Sequence, residues 1–545
     1  MKNNKSFVGL IFVAFILIAS CKKSEQIDLT TLQTYHSVAI PLVSAEIDVA
    51  DMLEADTGDV ISTGGSGELF LAYTSPDVNI NAGEIISVPD ESFSVQIAPA
   101  AAAGIGSLPS FSANASFQDT STSAFTFPNN EELTSIDFSQ GILTISITNS
   151  LSHDVSLTIT IPSLQNAGVI YSDNLSAAAN NTAITQANLS NYIMDLTQGS
   201  LGFNELLIYL DVTVTGSGAP INVADQVSID FSLNGMDFDV IYGDLKYQQF
   251  DLDAEEIAFN IFQNSSSAID FQLTNPEIKL TIDNSFGFSA LIGMDSMYYE
   301  DLSGSFIDNI LYDSSSSGNL AAAPFYFPTI SKPNSQGATT TTVISMNANN
   351  SSIDQLINAT PKQMVSSPIV AINADTTVVN SNYVLSSSEL NMSTEITLPL
   401  EGYAGGWMMG DTLPFDFKVD ELFSSETSIN EAVIKFVTTN GWPVEVGFTL
   451  QLLDSSQNIL TSIADEEMII ESGVLDANGK VVTPTVKPTE LFCDSNCVDN
   501  LNQTKYVIIS VEANTSDYTN QQAVKIYEDY KLGISMALLV SGRMF

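Results

Sequence analysis

Cationic side chains are the scarcest feature of this 545-residue chain, with 16 Lys and Arg against 64 Asp and Glu. The single Arg is Arg543, and no Lys or Arg stands between Ser24 and Leu245, where 27 acids do. Nucleic-acid binding needs a basic surface to displace phosphate counterions, so it is excluded. Arg-fork recognition of phosphate or carboxylate is equally unavailable in the first half. Histidine is almost missing too: His36 lies near the start, and His153 lies in a turn beside Asp154. A Ser–His–Asp arrangement could use His153, but no G-x-S-x-G elbow supports it, and a solvated turn is the simpler reading. The chain has no P-loop, no H-E-x-x-H and no G-x-G-x-x-G after a strand, so nucleotide and zinc chemistry are set aside.

Cysteine is limited to Cys21, Cys493 and Cys497. The first of these closes the leader MKNNKSFVGLIFVAFILIASC, with a basic start, an apolar core too short for a membrane span, and small residues before the Cys. Ile18-Ala19-Ser20-Cys21 resembles the bacterial lipobox. That resemblance implies cleavage of residues 1–20 and acylation of Cys21. Several acyl chains on one residue would anchor the protein firmly to a bilayer. Removing 1–20 moves the formal charge from −48 to −50. Cys493 and Cys497, in LFCDSNCVDN, then remain for a short disulfide, with metal binding or free thiols as the alternatives.

The abundant residues describe an ordered chain. Hydrophobic residues make up 44%, with 29 Phe and 17 Tyr, enough for several domain cores. One pattern occurs three times, around Asn149, Asn284 and Asn440. Apolar residues stand six, four and two positions before the first two Asn: Leu143, Ile145, Ile147 and Ile278, Leu280, Ile282. The third copy has Ile434, Phe436 and Thr438. A bulky apolar residue follows two positions later, as Leu151, Phe286 or Trp442, and alternation then resumes. Period-two alternation predicts strands with one buried face. The NSLSHD, NSFGF and NGWPVE stretches predict tight turns, hence three β-hairpins of one design. Asp476-Ala-Asn-Gly479 predicts a further hairpin turn. Helical signal is sparse, and its best case is SSIDQLINATP, where Ser352 and Gln355 have capping-box spacing and Pro361 ends the run. Linker-like stretches are 98–110, 216–220 and 314–318.

The expected fold is therefore all-β: tandem antiparallel β-sandwiches with very few short helices. The divisions are a leader at 1–20, a lipidated tether at 21–36, an N-terminal sandwich region of one or two units at 37–245, a middle sandwich at 246–400 and a C-terminal sandwich at 401–545. The closing KLGISMALLVSGRMF reads as a last sandwich strand rather than a barrel sorting signal.

The lipobox leader, VAIPLVSAEIDVADML, FQLTNPEIKLTIDNSFG and NSSIDQLINATP together resemble large outer-membrane lipoproteins of Bacteroidota. The strand–Asn–turn–strand unit is similar to the late-embryogenesis-abundant type-2 domain, which implies immunoglobulin-like sandwiches. The first likeness implies an outer-membrane location, on the periplasmic or the cell-surface face.

Two site candidates remain. FDLDAEE would put Asp251, Asp253 and Glu255 on one strand face, beside Glu256, a set of hard oxygens suited to calcium. EGYAGGWMMGD reads as a glycine-rich loop whose Tyr403 and Trp407 could stack on a glycan or peptide. The function expected is a non-catalytic envelope lipoprotein in binding, adhesion or scaffolding, with an envelope protein or glycan as partner. The alternatives are a glycan-processing hydrolase using paired carboxylates, and a carrier of a lipid or apolar ligand.

Overall fold

The computed structural model describes residues 34–48, 61–262, 270–374, 379–414, 428–464 and 469–544. The fold is all-β and every strand pairing is antiparallel. The residues before each repeated Asn form the strands Glu132–Asn149, Glu277–Asn284 and Ser428–Asn440. Their alternating Leu, Ile and Phe residues are buried as expected, and Thr438 is buried as well.

The expected hairpins are not hairpins. The strands after the turns, Asp154–Asn166, Ala290–Glu300 and Val444–Leu453, do not pair with the strands before them among the described residues. In the second and third copies the two strands belong to different sheets. In the first, the two strands are bridged by Tyr192–Asp195, which pairs with both. Each turn is thus an arch from one layer of a sandwich to the other, and the buried Asn builds it. Asn149 Oδ1 accepts the Leu151 N–H at 3.0 Å, while Nδ2 donates to the carbonyls of His153 and Ala178 at 2.8 and 3.0 Å. Asn284 repeats this with Phe286 N–H, Phe288 O and Ser331 O. Asn440 repeats it again with Trp442 N–H, Val444 O and Glu471 O. The apolar residue two positions on is thereby driven between the layers, where Leu151, Phe286 and Trp442 are buried. Burying the whole amide is tolerable because every polar atom is hydrogen-bonded.

Strand order is equivalent in the three units. The arch strand lies between a later strand and the unit's last strand: Asn181–Asn188 and Val227–Asp244, Thr340–Met346 and Glu389–Pro399, or Thr485–Cys493 and Lys531–Met544. The strand after the arch pairs with Glu205–Thr215, Gln363–Ile372 or Tyr506–Thr515. Earlier strands complete both sheets, and here the chain is nested. Thr34–Asp48 pairs with Lys531–Met544 of the third unit. Leu69–Thr74 and Val78–Asn81 pair with Glu389–Pro399 of the second. Glu91–Ile97 pairs with Val227–Asp244 of the first. On the way out, Gln248–Asp251 joins the second unit and Trp407–Pro414 the third. The sheets therefore do not follow three consecutive segments, because residues within 37–97 supply strands to all three units. The tether read as ending at residue 36 also gives way to strand at Thr34.

The units join through their arches. Trp442 of the third arch clusters with Leu69, Tyr527, Tyr530 and Leu532, against which Leu400 packs. Leu69 N–H donates to Ile526 O at 3.0 Å across this joint. At the second arch, Gly287 N–H donates to Tyr383 O at 2.9 Å, and Tyr383 belongs to a strand paired with the end of Val227–Asp244. Among the described residues, the first arch carries no further unit. It is capped by the segments read as linkers: Leu108 and Ile221 exchange backbone hydrogen bonds, and Phe111 N–H donates to Ala219 O at 2.9 Å.

Two smaller expectations were also resolved. Asp476 and Lys480 close the hairpin between Val474–Leu475 and Val481–Thr483. The helix Ile353–Asn358 starts after Ser352, but without a capping box, since the Ser352 hydroxyl accepts the Leu311 N–H instead. The terminal strand Lys531–Met544 lies inside its sheet, between Thr34–Asp48 and Ser428–Asn440.

Candidate functional site

The acidic set at 251–255 is not assembled. Asp251 stands opposite Ile369 and Glu255 opposite Ser366, so four steps along one strand match three along its partner. That odd offset is a bulge, and it turns the two carboxylates to opposite faces. Among the described residues, no three His, Cys, Asp or Glu side chains are grouped to hold a metal ion. Burial, then the charge of Asp253, pushes the Glu255 carboxyl above its usual value. The calcium reading is therefore corrected for the described residues.

The expected glycine-rich loop is two strands, Glu401–Gly405 and Trp407–Pro414, turned at Gly406. Its glycines serve close packing. A Cβ at Gly405 would fall 2.4 Å from the Tyr518 ring, and one at Gly402 would fall 1.9 Å from Gln272 O. The Tyr403 ring lies 6.2 Å from that of Tyr518 and is half-buried. Trp407 is paired through its backbone with Ala513, and its side chain lies outside the described residues.

His153 is buried rather than solvated. Its Nδ1 accepts the Ser217 N–H at 3.1 Å and lies 3.0 Å from Ser217 Oγ, while Nε2 has no partner. The Asp154 carboxylate instead accepts the Ala179 N–H at 2.9 Å. A Ser–His contact thus exists, but the Ser217 N–H occupies the Nδ1 lone pair and no carboxylate backs the far nitrogen, so the imidazole is not arranged as a base for Ser217. Its packing is structural, edge-on to Phe111 at 5.3 Å.

Cys497 is disulfide-bonded. Cys21 and the leader lie outside the described residues. Sequence reasoning missed the carboxylate pair Asp137 and Asp239, because the two come together only by strand pairing. Burial and then the Asp239 charge push Asp137 upward. Neither residue lines either of the two grooves described next.

The larger groove, about 660 Å³, runs over the outer face of the third unit. Ser44, Glu46, Val437, Thr439, Gly533 and Ser535 form its floor, and Val481 and Val482 form one wall. Glu46 is paired with Lys531 Nζ at 2.6 Å. Tyr530 contributes a buried hydroxyl that accepts the Val481 N–H at 2.7 Å. Its burial raises the phenol to about 12, so it remains neutral. A second groove of about 410 Å³ lies between Ser289–Leu291, Lys332 and Asn380–Asn382 of the second unit.

No protein-family model matches the chain. No curated protein matches it. Among solved structures, a protein of Parabacteroides distasonis described as secreted aligns at 12% identity and a TM-score of 0.30, over 55% of this chain and 88% of its own. The exported protein XepA of PBSX aligns at 10% identity and a TM-score of 0.12, over 62% and 94%. A tandem CBM22 domain of Paenibacillus barcinonensis Xyn10C aligns at 9% identity and a TM-score of 0.12, over 54% and 97%.

Proposed function

We propose that this chain is a non-catalytic envelope lipoprotein, held at the outer membrane through Cys21 and built to bind or scaffold rather than to transform a substrate. The observation that carries the reading is the threefold use of one arch. The second and third copies are joints between units and the first is closed by a cap, which is the plan of a stacked support. Such a stack keeps a fixed separation between its ends because each joint is made of buried apolar residues and backbone hydrogen bonds. The leader with its lipobox supplies the attachment at one end, and the partner is an envelope protein or glycan.

The test is acylation coupled to fractionation. The wild-type protein should incorporate labelled palmitate and sediment with outer membranes, whereas Cys21→Ala should do neither. Wild-type protein recovered unlabelled in the soluble fraction removes the anchored reading. Purification in mild detergent then identifies the partner held at native stoichiometry.

A further inference from the structure

The shared strand order allows the outer faces of the three units to be compared position by position. Opposite the outward residues Thr148, Ser146, Thr144 and Ile142 of the first arch strand stand Ser228, Asp230, Ser232 and Asn234 on one side. Thr182, Ile184, Gln186 and Asn188 stand on the other. The second unit carries Asp283, Thr281 and Lys279 there, beside Asn391, Ser393 and Glu395. Both faces are mainly polar, as expected for sheets facing water, with Ile142 and Ile184 on the first and Val343 on the second as exposed apolar residues.

The third unit breaks this pattern. Thr439, Val437, Lys435 and Val433 stand opposite Val486, Pro488, Glu490 and Phe492 on one side. Gly533, Ser535, Ala537 and Leu539 stand on the other. Phe492 is 83% exposed, Val486 60%, the adjoining Val482 59% and Val437 43%. The carboxylates within these rows are neutralised: Glu490 is 2.6 Å from Lys435 Nζ, and Glu46 is 2.6 Å from Lys531 Nζ. A chain of formal charge −48 therefore presents here a largely apolar face in which Glu490 and Glu46 are paired and Asp529 stands at the rim of the groove. The central Gly533 deepens it, although the fold does not need glycine there. A Cβ at that position meets nothing closer than Thr439 Cβ at 3.5 Å. Glycine inside a strand leaves room for close approach by another body.

The position of the anchor supplies the occupant. Thr34, thirteen residues after Cys21, begins the edge strand of this same sheet. A tether of that length spans at most about 45 Å. We propose that the outer face of the third unit is a lipid-contact face, with Phe492, Val486, Val482 and Val437 seated in the headgroup region while Lys435 snorkels to the phosphates from the middle of the face and Lys531 from its end. The proposal rests on the anchored reading of Cys21. It adds that the third unit lies on the bilayer and that the polar sheet of the first unit does not.

The experiment uses two forms of the full chain on phosphatidylcholine vesicles containing doxyl-labelled phosphatidylcholine. One form is acylated at Cys21. The other is Cys21→Ala, held by an N-terminal histidine tag on nickel-chelating lipid. An environment-sensitive fluorophore is attached at Val486→Cys or at its register equivalent Thr182→Cys, with the native disulfide kept oxidised. The label at 486 should lose roughly half of its emission to the lipid quencher, while the label at 182 keeps nearly all of it. Equal emission at the two positions in both forms overturns the proposal. So does a doubled mass in light scattering with the 486 label shielded from aqueous iodide before vesicles are added, which assigns the face to a second copy. Failure of the acylated form to float with vesicles removes the anchor reading alone, because the chelated form still compares 486 with 182.

Discussion

The side-chain oxygen of Asn440 accepts the backbone N–H of Trp442 at 2.9 Å, and this bond fixes the indole between a third-unit arch and Leu69 of the second unit. Asn284 and Phe286 stand in the same relation at 3.0 Å. The stability of the stack should therefore be concentrated in residues that touch no ligand.

Replacing Asn284 by Ala strands two carbonyls and one N–H in a buried site. The expected loss is roughly 3 kcal/mol. Asn284→Asp should be worse, because it brings a charge toward the Phe288 and Ser331 carbonyls and has no hydrogen to donate. Urea unfolding of the two variants measures the order. An Asp variant as stable as the wild type would contradict the arch geometry.

Trp442→Ala should cost about 3–5 kcal/mol by emptying the joint between the second and third units. The indole N–H has no partner in the structure. Trp442→Phe therefore removes an unsatisfied donor along with some apolar area, and it should stay within about 1.5 kcal/mol of the wild type. Thermal unfolding followed by near-ultraviolet circular dichroism distinguishes the pair.

Lys246 clasps the end of the first unit, 2.8 Å from Glu132 and 3.1 Å from the buried Asp244. Burial pushes the Asp244 carboxyl up, but hydrogen bonds from Lys246 outweigh it and hold the carboxyl below its usual value. Burial likewise works against the Lys246 charge, yet its bonds to Glu132 and Asp244 raise it overall. A lowered carboxyl stabilises fully above the unfolded value of about 4, and a raised lysine below about 10.4, so the clasp acts between those limits. Lys246→Ala should cost roughly 1–2 kcal/mol at neutral pH. The difference from the wild type should shrink as pH falls through the lowered Asp244 value. A difference unchanged at pH about 3 would remove the clasp.

The bond at Cys497 is expected to run to Cys493, closing a short loop at the start of the helix Ser495–Gln503. Cys493→Ser should then expose one thiol to alkylation without reductant and cost on the order of 2 kcal/mol. An unreactive Cys497 in that variant would assign the bond elsewhere.

Much of the fold was legible in the alternation itself. Leu143, Ile145 and Ile147 had to share a face in any extended chain, and burial of that face follows from transfer of apolar surface out of water. The position of Asn before a bulky residue was equally plain. Which strands would pair was not. An arch and a hairpin use the same turn residues and the same period, and only the third and fourth hydrogen-bond partners of Asn149, from residues 177 and 178, distinguish them. The candidate sites fared worse for a related reason. Alternation counted across 251–255 ignores a bulge that shows only in the register against Gln363–Ile372. The glycines at 402 and 405 read as loop freedom, but they make room for Gln272 and Tyr518.

By itself, the amino-acid sequence determined composition, charge, the dry side of each strand and the three arch positions, because each of these depends on residues within a few positions of one another. Tertiary structure alone decided the nesting of the chain through three units, the capping of the first arch by 98–113 and 216–221, and the apolar outer face of the third unit. Those features join residues far apart in the chain, and the free energy that selects them comes from surfaces that exist only once the sheets have met.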